Sequence, residues 1–162
     1  MPEQAKLQTK DGVVEVDKEV ACVSTLLRNT IEDNGVEDDI PVPSVSKAIL
    51  EKVMEYATHI LENGQPVIEK PLRADKKFSE VVNSEFYLKY VEVDVTTLSE
   101  IILAANYLDI QSLLELASAK MASLIKDMSV EEMRAFFGEA DDLSAEDKAI
   151  ITKENQFAEE SF

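Results

Sequence analysis

Hydrophobic and polar residues alternate at the start of the chain, and the spacing then becomes helical. Two short alternating runs, Ala5–Thr9 and Val13–Val16, flank an Asp-Gly pair, which predicts a β-hairpin. From Lys18 to Ile31 apolar residues return every three or four positions, which predicts one helix that ends near Gly35. The first part of the chain is therefore predicted to combine strands and helix.

The next part of the chain contains a proline-rich strand pattern and a long amphipathic pattern. Ile40–Val45 alternates like a strand, but its two prolines cannot donate ladder hydrogen bonds, so we expect a very short or edge strand. Ser46 is predicted to cap a helix that runs through Leu61. Glycine and prolines then indicate a flexible linker at about 63–77, and short helical pieces are expected over Phe78–Val95.

The second half of the chain shows helical spacing throughout. Thr97 and Glu100 have the spacing of a capping box, which predicts a helix from Thr97 through Leu108. Asp109 is predicted to cap the following helix, Ile110–Lys126.

Two further helix starts are predicted in residues 127–162. Ser129 and Glu132 form another capping-box pattern, and Gly138 is predicted to end that short helix. Ser144 is predicted to cap a last helix. Since strands and helices come first and only helices follow, the pattern favours an α+β domain with a helical C-terminal extension.

The composition excludes several functions. The 162 residues include 16 Lys and Arg against 33 Asp and Glu, which gives a net charge of −17 and a pI of about 4.3. Such a chain repels nucleic-acid phosphates and anionic lipid, so we expect neither nucleic acid nor membrane as a partner. The chain has no apolar run of membrane-spanning length, and its first residues do not resemble a signal peptide. We therefore expect a cytoplasmic and nuclear protein.

Residues that could perform catalysis are few. Cys22 and His59 form the only conceivable nucleophile–base pair, and they are too few for a structural zinc site. Cys22 lies in an apolar stretch, which favours a small buried side chain, and His59 is expected at a helix surface. The four glycines form no phosphate-binding loop, and the acidic loop at 33–39 lacks the spacing of a calcium-binding EF-hand. We expect no enzyme activity, cofactor or metal.

The C-terminal helices carry more apolar side chains than one buried face requires. Ile101, Ala105 and Leu108 form one stripe, while Leu103 and Tyr107 form a second stripe on the opposite side. The short helix after Ser129 adds three large apolar residues, Met133, Phe136 and Phe137. An apolar excess of this kind is typical of a surface that a partner protein covers, and it favours a partner-binding adaptor.

Several segments of the chain have a sequence that is characteristic of one protein family. The most specific segment is the run Ile102–Ile110, which reads Ile-Leu-Ala-Ala-Asn-Tyr-Leu-Asp-Ile. Further segments are the proline-containing Pro41–Val45 and the C-terminal Glu131–Arg134 and Lys153–Gln156. In these segments, and in the same order over nearly the whole chain, the sequence resembles the S-phase kinase-associated protein 1 family, the adaptor of cullin–F-box ubiquitin ligases.

The resemblance implies a BTB/POZ-type α+β domain over residues 1–126 and, over 127–162, two helices that close over an F-box. The implied function is that of a non-catalytic adaptor, without cofactor, in an SCF-type cullin-RING ubiquitin ligase. It would bridge the cullin N-terminal domain to F-box substrate receptors for ubiquitination and degradation. The residues implied to bind cullin are Pro41, Val42, Pro43, Asn106 and Tyr107. Those implied to bind the F-box are Leu114, Ala117, Met121, Ile125, Met133, Phe136, Phe137 and Phe157.

Some positions depart from the family pattern. Phe157 and Phe86 stand where the family has tryptophan, so two indole N–H donors are lost. Val130 replaces the proline that some protist members hydroxylate, and Phe78–Val95 is divergent. The departures leave an alternative open, a cullin-independent structural subunit that binds F-box proteins, as in kinetochore-type assemblies. Retention of Asn106 and of the tyrosine after it weighs against that alternative. Weak homodimerisation of the free protein also remains open.

Overall fold

The computed structural model describes residues 3–70, 72–73, 75–82 and 84–159, and it describes side chains as far as residue 156. Its backbone separates into two compact units, Met1–Lys126 and Asp127–Phe162, here called the N-terminal unit and the C-terminal unit. Strands and helices occur together in the N-terminal unit, whereas the C-terminal unit is helical where it is described. The α+β class expected from the sequence is therefore confirmed.

The predicted hairpin forms two of the three strands in the described sheet. β1 (Gln4–Gln8) pairs antiparallel with β2 (Val13–Asp17) and parallel with β3 (Ile40–Pro41). Leu7 of β1 lies opposite Val14 of β2, and both are buried because alternate side chains point to the same face of a sheet. The strand order β2-β1-β3 puts the two-residue β3 at an edge, as its prolines predicted.

The helices vary in length from a single turn to seventeen residues. The described part of the chain contains α1 (Lys18–Ala21), α2 (Thr25–Asn34), α3 (Lys47–Asn63), α4 (Phe78–Val81), α5 (Glu85–Tyr90), α6 (Val95–Tyr107), α7 (Gln111–Ile125), α8 (Val130–Phe137) and α9 (Ala145–Glu159). In the N-terminal unit α6 packs against α3 and α7, and α3 also contacts β2. This packing buries Leu50, Leu98, Ile101 and Leu113 completely, so the core lies between these helices and the sheet.

The helix predicted over Lys18–Ile31 is broken in the structure. It ends after Ala21 and resumes at Thr25, because Ser24 is a buried N-cap. The Ser24 hydroxyl accepts a hydrogen bond from the Leu27 amide at 3.1 Å and donates one to the Leu108 carbonyl at 2.5 Å. Serine favours such capping over a helix interior, and in this case the cap also ties α2 to the end of α6.

Two predicted helix caps were wrong. The capping residue of α6 is Asp94, whose carboxylate accepts from the Thr97 amide at 3.0 Å, so Thr97 lies inside the helix. Aspartate is at least as good a cap as threonine, and the sequence pattern did not distinguish the two. Asp109 does not cap α7, because it adopts a left-handed conformation with φ 52° in the turn, and Ile110 occupies the N-cap position. Aspartate tolerates that conformation better than most residues do.

The divergent stretch around α5 packs into the core of the N-terminal unit. Tyr87 and Tyr90 are buried, and their rings lie 5.8 and 5.5 Å from the ring of Tyr56 on α3. The Tyr90 hydroxyl donates to the Lys52 carbonyl at 2.8 Å, and burial raises the pKa of that hydroxyl. The short helices predicted here are confirmed, and the buried tyrosines of this divergent stretch serve packing.

Apart from Asn63, which ends α3, the predicted linker contains no helix in its described residues. Between Gly64 and Lys77 the backbone is irregular, apart from one isolated antiparallel bridge that pairs Ile68 with Val82. Residues 71 and 74 lie outside the described part of this segment.

Candidate partner-binding surfaces

The first candidate surface lies at the C-terminal end of α6. Leu98, Ile101 and Ala105 are fully buried on one face of this helix, so the opposite face is directed outward. On that outward face Leu103 is 68% exposed and Asn106 is exposed. A single exposed leucine is common on a protein surface, so the candidate surface is identified by Leu103 together with the loop beside it.

The loop after β3 lies beside this surface. A cavity of about 160 Å³ is lined by Ser44 and Val45 of the loop and by Leu103 and Ala104 of α6. The Val42 amide donates to the Gln8 carbonyl at 2.8 Å, which fixes the segment against the sheet.

Four of the five predicted cullin-binding residues keep some exposure. Pro41, Pro43 and Asn106 are exposed, and Tyr107 is half-buried. Val42 is completely buried, so it can support this surface only from beneath.

The turn after Tyr107 is fixed by contacts with α2. The Asp109 carbonyl accepts from both the amide and the hydroxyl of Thr25, at 3.4 and 3.2 Å. The Leu108 carbonyl accepts from the Ser24 hydroxyl, as described above. These contacts hold the end of α6 in place, and a rigid surface loses less entropy on binding than a mobile one does.

The second candidate surface is on α7, where the predicted residues divide into two groups. Leu114, Met121 and Ile125 are half-buried and remain partly accessible in the N-terminal unit. Ala117 is completely buried in the core, so it is not part of the accessible surface. Helical spacing alone could not tell the accessible residues from the buried one, because α7 carries apolar residues on more than one face and also buries Leu113 and Leu116.

The third candidate surface is α8 in the C-terminal unit. Its start is defined by the predicted capping box, in which the Ser129 amide donates to Glu132 at 2.7 Å and the Glu132 amide donates to the Ser129 hydroxyl at 3.3 Å. The hydrogen bond from the Ser129 amide, together with the Ser129 hydroxyl, holds the pKa of the Glu132 carboxyl below its usual value. The helix ends at Gly138, whose left-handed φ of 72° confirms the predicted stop.

The apolar side chains of α8 are not buried. Phe137 is 50% exposed, Met133 and Phe136 are half-buried, and the two phenylalanine rings meet edge to face at 5.0 Å. No residue of this helix is buried, and every residue of it is described. The helix therefore presents a compact aromatic patch that the described chain leaves uncovered.

Helix α9 continues the C-terminal unit with the predicted Ser144 cap. The Asp147 amide donates to the Ser144 hydroxyl at 3.1 Å. Asp141 bonds both Arg134 of α8 and Lys148 of α9, and these bonds hold the pKa of its carboxyl below the usual value. Phe157 lies within α9, but its side chain is outside the described residues.

Cys22 and His59, the residues considered for catalysis, each pack against apolar or aromatic neighbours. Cys22 is half-buried and packs against the core as a small apolar side chain, whereas His59 is half-buried and not at the helix surface expected of it. The His59 ring stacks on Phe86 with a centroid distance of 3.5 Å, and no described hydrogen bond joins it to Cys22. Among the described residues no group of three or more His, Cys, Asp or Glu side chains is placed to hold a metal ion. No helix in the described ranges is long and apolar enough to cross a membrane.

The small sheet, the capped helices and the uncovered apolar patches define a class of α+β protein-interaction domains. The chain matches two family models, "Skp1 family, tetramerisation domain" over residues 3–62 and "Skp1 family, dimerisation domain" over residues 111–158. The chain therefore belongs to the Skp1 family, and the BTB/POZ-type fold expected from the resemblance is confirmed.

Relatives of similar length carry related names. The chain is 46% identical to the "S-phase kinase-associated protein 1 homolog" of Tetrahymena thermophila, over 96% of this chain and 93% of the relative. It is 37% identical to the "SCF ubiquitin ligase complex protein SKP1a" of Dictyostelium discoideum, over 96% and 95%. It is 40% identical to the "E3 ubiquitin ligase complex SCF subunit sconC" of Neosartorya fischeri, over 95% and 97%.

Proposed function

We propose that this protein is the adaptor subunit of an SCF-type cullin-RING ubiquitin ligase. It bridges the cullin N-terminal domain to F-box substrate receptors and makes or breaks no covalent bond itself. The observation that carries the proposal is the near-full-length similarity to relatives named as SCF subunits. The uncovered apolar helices support it, because an adaptor needs surfaces that only its partners cover.

The cullin surface is assigned to the end of α6 and the neighbouring loop. Asn106 supplies an exposed amide, Leu103 an exposed apolar side chain, and Pro41 and Pro43 a rigid edge. The contacts of Ser24 and Thr25 with the turn after Tyr107 hold this surface in shape.

The F-box contacts are assigned to two separate sets of accessible apolar residues, one in each unit. Leu114, Met121 and Ile125 contribute from α7, and Met133, Phe136 and Phe137 contribute from α8. Flexible methionine side chains adapt to different apolar partners, which suits an adaptor that accepts several receptors. The match of residues 111–158 to a dimerisation-domain model supports a general role of this region in protein association.

The cullin assignment is tested with the double variant Asn106→Lys/Tyr107→Lys. We expect it to abolish binding to the purified cullin N-terminal domain while F-box binding is retained, measured by calorimetry on the full chain. Asn29→Lys, at an exposed position of α2, is the control for adding a lysine elsewhere. Equal loss of both partners would contradict two separate surfaces, and F-box binding without any cullin binding by the wild type would favour the structural-subunit alternative.

The F-box assignment is tested with Phe137→Asp and Met133→Asp. A charge buried without a partner costs about 3–5 kcal/mol, so we expect F-box affinity to fall by at least two orders of magnitude while cullin binding is retained. Val67→Asp, a 69% exposed position in the N-terminal unit, is the matched control. An unchanged F-box affinity in both α8 variants would overturn the assignment.

A further inference from the structure

A groove in the N-terminal unit is lined by none of the residues assigned above to cullin or F-box binding. It has a volume of about 180 Å³ and runs between the C-terminal half of α7 and the segment that leads into α4. Ala119 and Ala122 form its floor on the α7 side. On the other side are Leu72, which is 46% exposed, and the half-buried ring of Phe78. The groove is thus apolar at its base and open to solvent.

The edge of the groove is basic, although the protein as a whole is strongly acidic. Arg73, Lys76 and Lys126 line it, and none of its described lining residues is a carboxylate. The Lys126 ammonium donates to the Lys76 carbonyl at 3.1 Å, which ties the end of α7 to the linker segment. The lining thus combines an apolar base with three cations, and carboxylates outside the lining, such as Glu69 and Glu80, lie close to Lys76.

Arg73 and Lys76 pair with carboxylates within the chain. Arg73 pairs with Asp75 at 3.1 Å, and Lys76 pairs with Glu69 at 2.5 Å. The Arg73 and Asp75 side chains are more than half exposed, and exposed ion pairs contribute little to stability. An incoming carboxylate can therefore replace Asp75 at small cost. Lys120 lies 5.4 Å above the Phe78 ring, which adds a further cation beside the groove.

The groove uses a different face of α7 from the proposed F-box surface. Ala119, Ala122 and Lys126 are three and four residues apart, so they share one helical face. Met121 and Ile125 lie on another face of the same helix. One partner can therefore occupy the groove while another covers the F-box surface of α7.

We propose that this groove binds a short acidic peptide segment of a partner protein, with one large apolar side chain inserted between Leu72 and Ala122. The carboxylates of the segment lie beside Arg73 and Lys76. A volume of about 180 Å³ is below the roughly 300–1,000 Å³ of small-molecule sites, so it suits a single anchoring side chain. A nucleic acid would match the basic edge but would bring no apolar anchor, and the overall charge would repel it.

The test measures fluorescence anisotropy of a labelled nine-residue peptide with one central leucine flanked by Asp and Glu, titrated with the full chain. A neutral control peptide carries Asn and Gln in place of the acidic residues. We expect the acidic peptide to bind about tenfold more tightly than the neutral control peptide. This difference in affinity should shrink as salt screens the charges. Equal affinity of the two peptides, or no binding of either, would overturn the proposal.

Substitutions at exposed positions test whether the peptide binds in the groove. Leu72→Asp removes the apolar wall and Arg73→Glu reverses a charge of the edge, and each should weaken the acidic peptide about tenfold. Lys6→Glu changes the net charge by the same amount as Arg73→Glu, but at a position on β1. It should leave the affinity for the acidic peptide unchanged. Equal loss in Lys6→Glu and Arg73→Glu would show that only net charge matters. Displacement of the peptide by a DNA oligonucleotide would overturn the choice of a peptide. Neither cullin nor F-box takes part in this experiment, so its outcome is separate from that of the proposed function.

Discussion

The two units of this chain contain similar kinds of helices but differ in what covers their apolar residues. In the N-terminal unit Leu98, Ile101 and Leu113 are completely shielded from solvent. In the C-terminal unit the large apolar residues Phe137 and Ile150 are each 50% exposed. None of the described side chains of the C-terminal unit is buried.

This difference in burial indicates that the two units are stabilised by different interactions. The N-terminal unit gains stability from burial of apolar surface, the dominant favourable term in folding. The C-terminal unit relies on local interactions, namely the capping box of Ser129 and the bonds of Asp141 to Arg134 and Lys148. Helices held mainly by local interactions are marginal in water. A unit of this kind is well suited to bury its exposed apolar side chains against a partner protein.

The largest effect on stability is expected when a leucine is replaced by alanine in the N-terminal unit, and the same replacement in the C-terminal unit is the comparison. Leu113→Ala removes a completely buried side chain and should lower the free energy of unfolding by about 2–5 kcal/mol. Leu143→Ala, at a position 36% exposed in the C-terminal unit, should change it by less than about 1 kcal/mol. Urea unfolding of the two variants and the wild type provides the comparison.

The tyrosines make this measurement selective. All four, Tyr56, Tyr87, Tyr90 and Tyr107, lie in the N-terminal unit, and the chain has no tryptophan. Tyrosine emission therefore follows the N-terminal unit, while circular dichroism follows both units. An equal loss of stability in the two leucine variants would contradict the contrast between a buried and an uncovered unit.

A smaller effect is expected at the two serine caps. Ser24 is completely buried, and its hydroxyl bonds the Leu27 amide and the Leu108 carbonyl, so Ser24→Ala should cost the whole N-terminal unit about 1–3 kcal/mol. Ser129 is exposed, so Ser129→Ala should loosen only α8. Hydrogen exchange measured by mass spectrometry separates the two responses. Faster exchange confined to α2 in Ser24→Ala would contradict a link between α2 and the end of α6.

The sequence predicted the elements that depend on local spacing. The hairpin, the short edge strand with its prolines, the Ser129 capping box and the stop at Gly138 all follow from residues close together in the chain. The break at Ser24 was missed because the Leu108 carbonyl that its hydroxyl bonds is 84 residues away. The conformation of Asp109 was missed for a similar reason, since Thr25 holds its carbonyl from another helix.

The candidate surfaces were predicted from sequence less completely than the fold. Apolar excess identified α6 and α8, and the exposures of Leu103 and Phe137 agree with an uncovered surface there. Ala117 and Val42 are completely buried, because burial depends on which neighbouring elements pack over a residue. The groove beside Arg73 was not predicted, since it needs the linker segment to meet the far face of α7.

The smallest expected effect is a dependence of α8 on pH. Hydrogen bonds from Ser129 hold the pKa of the Glu132 carboxyl below its ordinary value of 4.5. Because the folded-state pKa is lowered, the contribution of these bonds is present above about pH 4.5 and is lost as the pH falls through the folded-state value. We therefore expect the helical ¹³Cα chemical shifts of α8 to decline in acid before the core of the N-terminal unit unfolds.

The variant Glu132→Gln is the matched control for this titration. Glutamine can still accept the hydrogen bond from the Ser129 amide but does not titrate, so it should keep the cap and remove the pH dependence. The ¹³C carboxyl titration of Glu132 in the wild type should give a midpoint below 4.5, as its hydrogen bonds require. If α8 lost its helical shifts at the same pH in both proteins, the cause would lie outside the capping box. The C-terminal unit would then depend on more than the local contacts that distinguish it from the buried N-terminal core.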